Sequence, residues 1–182
     1  MDTISESRFG AAREALRESP PGLWHPSARG AASPGARSAG GDFLALRLDG
    51  AEYAVAVVQV QELRSWEPPT RLRGAAPCIL GVVNLRGCIV PIVDLRLRLG
   101  GAAAEIGARH VVVVLLVRGR RIGIVVDAVS EVVEIDALQI AAASGDGRGG
   151  SCVSGVARIE RDGIERPLLL LDGERLLHGT GL

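Results

Sequence analysis

Three histidines, three cysteines and a few carboxylates set among aliphatic residues are the groups in this chain that could do chemistry. An active site would need a nucleophile beside a base, a metal cluster, or paired carboxylates across a cleft. His25, His110 and His178 are scattered, and none stands at ligand spacing from Cys78, Cys88 or Cys152. The cysteines include no Cys-x-x-Cys pair and read as buried or half-buried free thiols of a reducing compartment. Neither Gly-x-x-x-x-Gly-Lys-[Ser/Thr] nor Gly-x-Ser-x-Gly occurs, and Gly145-Asp-Gly-Arg-Gly-Gly150 reads as a loop rather than a phosphate cradle. Asp94, Asp127, Asp172, Glu62 and Glu131 lie in apolar context, where helix caps and ion-pair partners outnumber catalysts. The expectation is a non-catalytic chain with no metal site and no cofactor.

Two charges stand out from this background. Glu62 is flanked by apolar residues in Val60-Gln-Glu-Leu63, and Arg86 lies in Asn84-Leu-Arg-Gly87. A charge drawn into such surroundings is costly unless it is paired. They are expected either to reach solvent from turns or to pair at the mouth of one lobe and shape a binding surface.

Composition narrows the functional classes. Arg and Lys total 21 against 21 Asp and Glu, so the formal net charge is zero. That argues against capture of nucleic acid, which draws on a basic surplus. A nucleic-acid-binding barrel would also want stacking aromatics, and only Phe43, Tyr53 and Trp66 lie in the strand-rich region. The apolar runs Val111–Val117 and Pro167–Leu171 are too short to span a bilayer. With no secretory signal visible, the reading is a cytoplasmic protein.

The elements that must position these residues are stated twice. Gly50-Ala-Glu-Tyr-Ala-Val-Ala-Val-Val-Gln-Val-Gln-Glu-Leu63 recurs in type as Gly119-Arg-Arg-Ile-Gly-Ile-Val-Val-Asp-Ala-Val-Ser-Glu-Val132, each after an apolar run. Gly81-Val-Val-Asn-Leu85 is echoed by Gly155-Val-Ala-Arg-Ile159, and Pro91-Ile-Val-Asp94 by Pro167-Leu-Leu-Leu-Leu-Asp172. Two copies are too few for a solenoid; they predict two similar lobes about a pseudo-two-fold axis. The first repeat runs over about 43–108 and the second over about 109–182. Asp49-Gly50 and Arg118-Gly119 are hairpin signals, Asn84–Gly87 is another tight turn, and short strands between close turns predict small barrels. Short helical turns are expected over Val57–Leu63 and over Asp94–Gly100, where Asp94 suits an N-cap and Gly100 a C′ position. Residues 1–41, apart from a weak helical pattern over Met1–Ser19, are too rich in Pro, Gly and Ala to bury a core and read as a flexible arm carrying Trp24.

Several segments together resemble one family: Val60-Gln-Glu-Leu-Arg64, Gly81-Val-Val-Asn-Leu-Arg-Gly87, Ile89-Val-Pro-Ile-Val-Asp-Leu-Arg96, Gly123–Val132 and Gly155-Val-Ala-Arg-Ile159 are similar to the CheW family of bacterial chemotaxis adaptors. The likeness covers about residues 42–178 in the family's order. It implies an all-β fold of two five-stranded SH3-like barrels and a non-catalytic role coupling the histidine kinase CheA to the cytoplasmic tips of chemoreceptors. It also implies pairing with the kinase's homologous double-barrel regulatory domain, and contact with the membrane only through receptors. An adaptor of a non-flagellar chemosensory array is the alternative. Carried over by position, Val60, Glu62 and Arg86, the last two as a Glu–Arg pair, match receptor-binding positions. Gly81, with Asn84 and Leu85 of the same string, falls in the partner-binding neighbourhood. Cys88 stands where the family commonly has a polar residue, and Gly173 where it commonly has Leu. Ile79, Leu80 and Ile89 are candidates both for anchors and for core.

Overall fold

Three Xaa-Gly dipeptides decide where the chain reverses. Asp49 and Gly50 (φ 51° and 74°), Arg86 and Gly87 (51° and 84°) and Arg118 and Gly119 (49° and 78°) all adopt positive φ. Positive φ at both central residues is the two-residue turn whose twist matches that of the flanking strands. The structure, a computed structural model, describes residues 40–143, 152–161, 163–178 and 180. The expectations for the arm and for the glycine loop 145–150 lie outside the described residues.

Eleven strands are described: β1 Gly41–Leu48, β2 Ala51–Ala56, β3 Val60–Ser65, β4 Ile79–Leu85, β5 Cys88–Asp94, β6 Val111–Val117, β7 Arg120–Val126, β8 Ala128–Ile135, β9 Ile140–Ala142, β10 Val153–Arg161 and β11 Ile164–Leu171. Two short helices follow β5 and β11: α1 Leu95–Arg98 and α2 Gly173–Leu177. The fold is all-β, with two SH3-like barrel lobes. The first lobe has the strand order β3-β6-β7-β5-β4, and the second has β8-β1-β2-β11-β10-β9. The second thus carries a sixth, three-residue strand beyond the five expected.

Apart from β9 the two orders match strand for strand, as a pseudo-two-fold demands, but the sheets do not follow the repeat boundary. The β1–β2 hairpin of the first repeat sits in the second lobe, and the β6–β7 hairpin of the second repeat sits in the first. Alternation along the exchanged strands explains why. On β1, Phe43 and Ala45 enter a core with Ile135 and Leu168, while Leu44, Leu46 and Leu48 enter a different one. On β6, Val112 and Val114 face Leu85, Val90 and Ile92, while Val113, Leu115 and Val117 join those same leucines in the seam between lobes. Both faces are buried, so both strands read as unbroken apolar runs rather than alternating ones.

The helical-turn expectations divide. Asp94 caps α1, its side chain accepting from Arg96 N and Leu97 N, and Gly100 follows with φ 80°. Over Val57–Leu63, however, only Val57–Gln59 is helical, a single 3₁₀ turn, and β3 begins at Val60. The correction is physical: β3 gains an antiparallel ladder with β6 between Val60 and Ser65, interrupted only at Gln61, which a further helical turn would forfeit.

Because each lobe needs the other repeat's hairpin, a fragment of residues 42–108 should not fold. It is expected to show no cooperative thermal transition alone and to regain one when mixed with 109–182. A sharp melt of 42–108 by itself, followed by circular dichroism, would contradict the exchange as the stabilising element.

Candidate functional site

The carboxylates singled out above have structural partners. Asp94 and Asp172 are helix N-caps, and Asp172 accepts from Glu174 N at 2.9 Å and Arg175 N at 3.2 Å. Asp94 N donates to Cys78 O and Asp172 N to Cys152 O, both 2.8 Å, so two buried cysteines serve as equivalent packing residues. Cys88, by contrast, is exposed. Asp127 stands where the chain passes from the first lobe to the second. It accepts from Arg96 Nη2 at 2.6 Å and from Asp49 N at 2.8 Å, with buried His110 Nε2 at 3.6 Å. His110 directly precedes β6 and is fastened through Nδ1 to the backbone of Gly107. Among the described residues no group of three or more His, Cys, Asp or Glu is placed to hold a metal ion.

Glu62 and Arg86 come together on the first lobe. A register shift between Val60 and Glu62 leaves Gln61 unmatched against β6; such bulges bend a strand and re-aim its side chains. Arg86 is carried on the β4–β5 turn, which Asn84 Oδ1 fastens by accepting from Gly87 N at 2.9 Å. Arg86 Nη2 lies 3.8 Å from Glu62 Oε2, and Arg64 Nη1 lies 3.7 Å from Glu62 Oε1. The Arg86 side chain is 91% exposed and that of Glu62 30%. The pair is thus an open, screened contact rather than a buried bridge.

Around this pair lies a mouth of about 160 Å³ whose floor is Leu85 and Val114 and whose rim adds Gln61, Cys88 and Arg121. The same Leu85 and Val114 also line an adjoining groove of about 460 Å³ between β3 and β4, walled by Arg64, Glu67, Asn84 and Ile89. Ile89 is 65% exposed, whereas Ile79 packs on the seam core and Leu80 on the first lobe's own core. Of the residues read from the sequence, Glu62, Leu85 and Arg86 meet in the mouth, and Asn84 and Leu85 line the groove. Val60 instead packs on the seam core. Gly81 stands behind the groove wall: with φ 149°, a Cβ there would lie 2.3 Å from Thr70 O. Thr70 and Val82 exchange two backbone hydrogen bonds, at 2.9 and 2.8 Å, so Gly81 lets this wall close on β4.

Arg121 was absent from the sequence reading, although the repeat alignment holds a signal for it: Gly119-Arg-Arg stands where the first repeat has Gly50-Ala-Glu. Gly173, the departure noted above, also has a reason. A Cβ there would lie 2.8 Å from both Val117 Cγ2 and Gln59 Oε1, so a larger residue would require those side chains to shift.

Residues 42–180 match the family model described as the CheW-like domain. Among curated proteins, the chain is 43% identical over 96 residues to the chemotaxis protein CheW of Rhizobium meliloti (strain 1021), covering 53% of this chain and 62% of that one. It is 35% identical over 104 residues to the chemotaxis protein CheW of Bacillus subtilis (strain 168), covering 57% and 67%. The matches span 62% and 61% of the first two curated relatives, somewhat less than two thirds of their length. Among solved structures, the scaffolding protein TtCheW from Thermoanaerobacter tengcongensis superposes with a TM-score of 0.69 at 24% identity, covering 79% of this chain and 96% of that one.

Two outcomes follow from the site's geometry. Gly81→Ala forces a left-region φ and a clash with Thr70, and should destabilise the fold by about 1–3 kcal/mol; an unchanged denaturant midpoint would show that the wall yields freely. A double-mutant cycle between Glu62 and Arg86 should give a stability coupling of only about 0.2–1 kcal/mol, as for exposed pairs. A coupling above about 2 kcal/mol would mean the pair closes and desolvates in solution.

Proposed function

The chain belongs to the CheW-like family, and from that membership we propose that it is a non-catalytic adaptor coupling the histidine kinase CheA to chemoreceptors. What supports this reading is the mouth on the first lobe: an apolar floor of Leu85 and Val114 under exposed charges, beside the exposed aliphatic Ile89. Such a surface suits recognition, since an apolar centre supplies affinity and a charged rim supplies orientation and selectivity. The carboxylates that might have served catalysis are held as caps and ion pairs instead. In this proposal residues 42–182 are the binding unit and residues 1–41 an arm. Val60, Glu62, Gly81, Asn84, Leu85 and Arg86 form or support the receptor-facing surface, and an exposed lobe end receives the kinase's double-barrel regulatory domain.

The protein would act inside the cell at receptor arrays, touching the membrane only through the receptors. Among the described residues no helix is long and apolar enough to cross a membrane. Contact with the kinase domain would engage a surface of ordinary interface size, roughly 800 Å² on each partner.

Reconstitution tests the reading. The purified chain is expected neither to hydrolyse nucleotide nor to accept phosphate from the kinase, and kinase output should respond to receptor only when the chain is present. A pull-down in which it retains neither the kinase's regulatory domain nor a receptor signalling fragment would refute the adaptor role, as would phosphotransfer to the chain itself.

A further inference from the structure

The two lobes build the same corner with opposite charge. In the second lobe Glu131, on the bulged part of β8, pairs with Arg161 at the end of β10, Nε to Oε1 at 3.1 Å. Glu52 takes the same guanidinium at 3.0 Å. In the first lobe Glu62, on the bulged part of β3, pairs with Arg86 beside the end of β4. The third position of that corner is Arg121. Glu52 and Arg121 are equivalents, each the second residue of the strand leaving an Xaa-Gly turn, opposite Arg47 and Leu116 respectively.

This one reversal alters what each corner can receive. The second lobe's corner is closed: two carboxylates share one guanidinium, and the Glu52 and Arg161 side chains are only 13% and 25% exposed. In the first lobe Glu62 is the single carboxylate beside Arg64 and Arg86, and it already lies near both. Arg121 reaches only the Cys88 sulfur, at 2.7 Å, and meets no carboxylate among the described residues. A thiol is a weak acceptor, so a guanidinium charge is left over above an apolar floor.

We infer that this mouth receives a carboxylate from the partner, an Asp or Glu side chain next to an aliphatic residue, and that Arg121 selects it. The aliphatic neighbour lies on Leu85 and Val114, and the acid meets the forks of Arg121 and Arg86, a geometry that guanidinium groups bind well. The equivalent corner of the second lobe rejects the same segment, because Glu52 and Glu131 would repel it. The inference rests on the adaptor reading above and deepens it: the acidic segment is the receptor's, since the Glu62–Arg86 pair that frames the mouth is assigned there to the receptor.

The test titrates the full chain with the receptor's cytoplasmic signalling fragment and, separately, with the kinase's double-barrel regulatory domain, at low and high salt. Arg121→Glu should weaken the receptor fragment about tenfold or more and flatten its salt dependence, because the charge it removes is the one that attracts. Arg121→Lys, which keeps the charge but loses the fork, should weaken the receptor fragment less than Arg121→Glu does, and kinase affinity should stay within about twofold for both variants. Arg121 is exposed, so thermal melts should be superimposable, which separates lost recognition from lost folding. Wild-type receptor binding by Arg121→Glu, or a loss of kinase binding in place of receptor binding, overturns this inference and leaves the adaptor reading standing. If the wild-type chain binds neither fragment, both fall.

Discussion

Everything in this molecule hangs on the burial of two hairpins on both faces. β1 and β6 each send one set of side chains into their own lobe and the other set into the seam, where Leu44, Leu46 and Leu48 meet Val113, Leu115 and Val117. Each fully buried aliphatic side chain contributes roughly 1.5–3 kcal/mol of transfer free energy, so the seam is a large part of what holds the fold. Because each hairpin comes from the opposite repeat, the lobes are not separable modules. They form one unit with a shared core and with two ends related by a pseudo-two-fold.

Polar groups complete what the seam begins. Asp127, at the passage from β7 to β8, ties the β1–β2 turn to α1 through Asp49 N and Arg96. Arg98 of α1 reaches across to donate to the carbonyls of Arg175, Leu176 and His178 at the end of α2. A cation at those carbonyls satisfies acceptors that a helix end leaves open. Arg118 in the β6–β7 turn meets Glu174 at 2.5 Å. The result is a frame in which the two short helices, one from each repeat, are clasped together and the barrel mouths are held at fixed positions.

On that frame the first lobe's mouth sets Leu85 and Val114 beneath charged side chains. The turn that carries Arg86 is locked by Asn84, the adjoining groove is walled by the Thr70–Val82 bridge, and the side chains of Arg86 and Arg121 are exposed. Fixed backbone beneath solvated charges suits selective recognition. The second lobe keeps the same plan but closes its corner with an internal ion-pair cluster. Two equivalent ends of one molecule are thereby made chemically distinct.

Much of this was legible in the sequence because it is local. Asp49-Gly50 and Arg118-Gly119 mark hairpins through the φ they tolerate, Asp94 and Gly100 bracket a helix, and the repeated order of motifs announces two like lobes. The pairing of Glu62 and Arg86 is one of two readings the residues allow, and the family resemblance favours it; the strand that carries Glu62 is not legible, because Val57–Leu63 also suits a helical turn. Which lobe each hairpin joins was not legible either, since a run such as Val111–Val117 is equally apolar whichever sheet it enters, and only packing on both of its faces decides. The extent of the helical turn at Val57, the exposure of Cys88 and Ile89, and the meeting of Arg121 with the Cys88 sulfur belong to the same class. Sequence determined the turns, the caps, the alternation and the family motifs, because those depend on neighbours along the chain. Tertiary structure alone decided the exchange of hairpins and the opposite charge of the two mouths, because those depend on residues that meet only once the seam is buried.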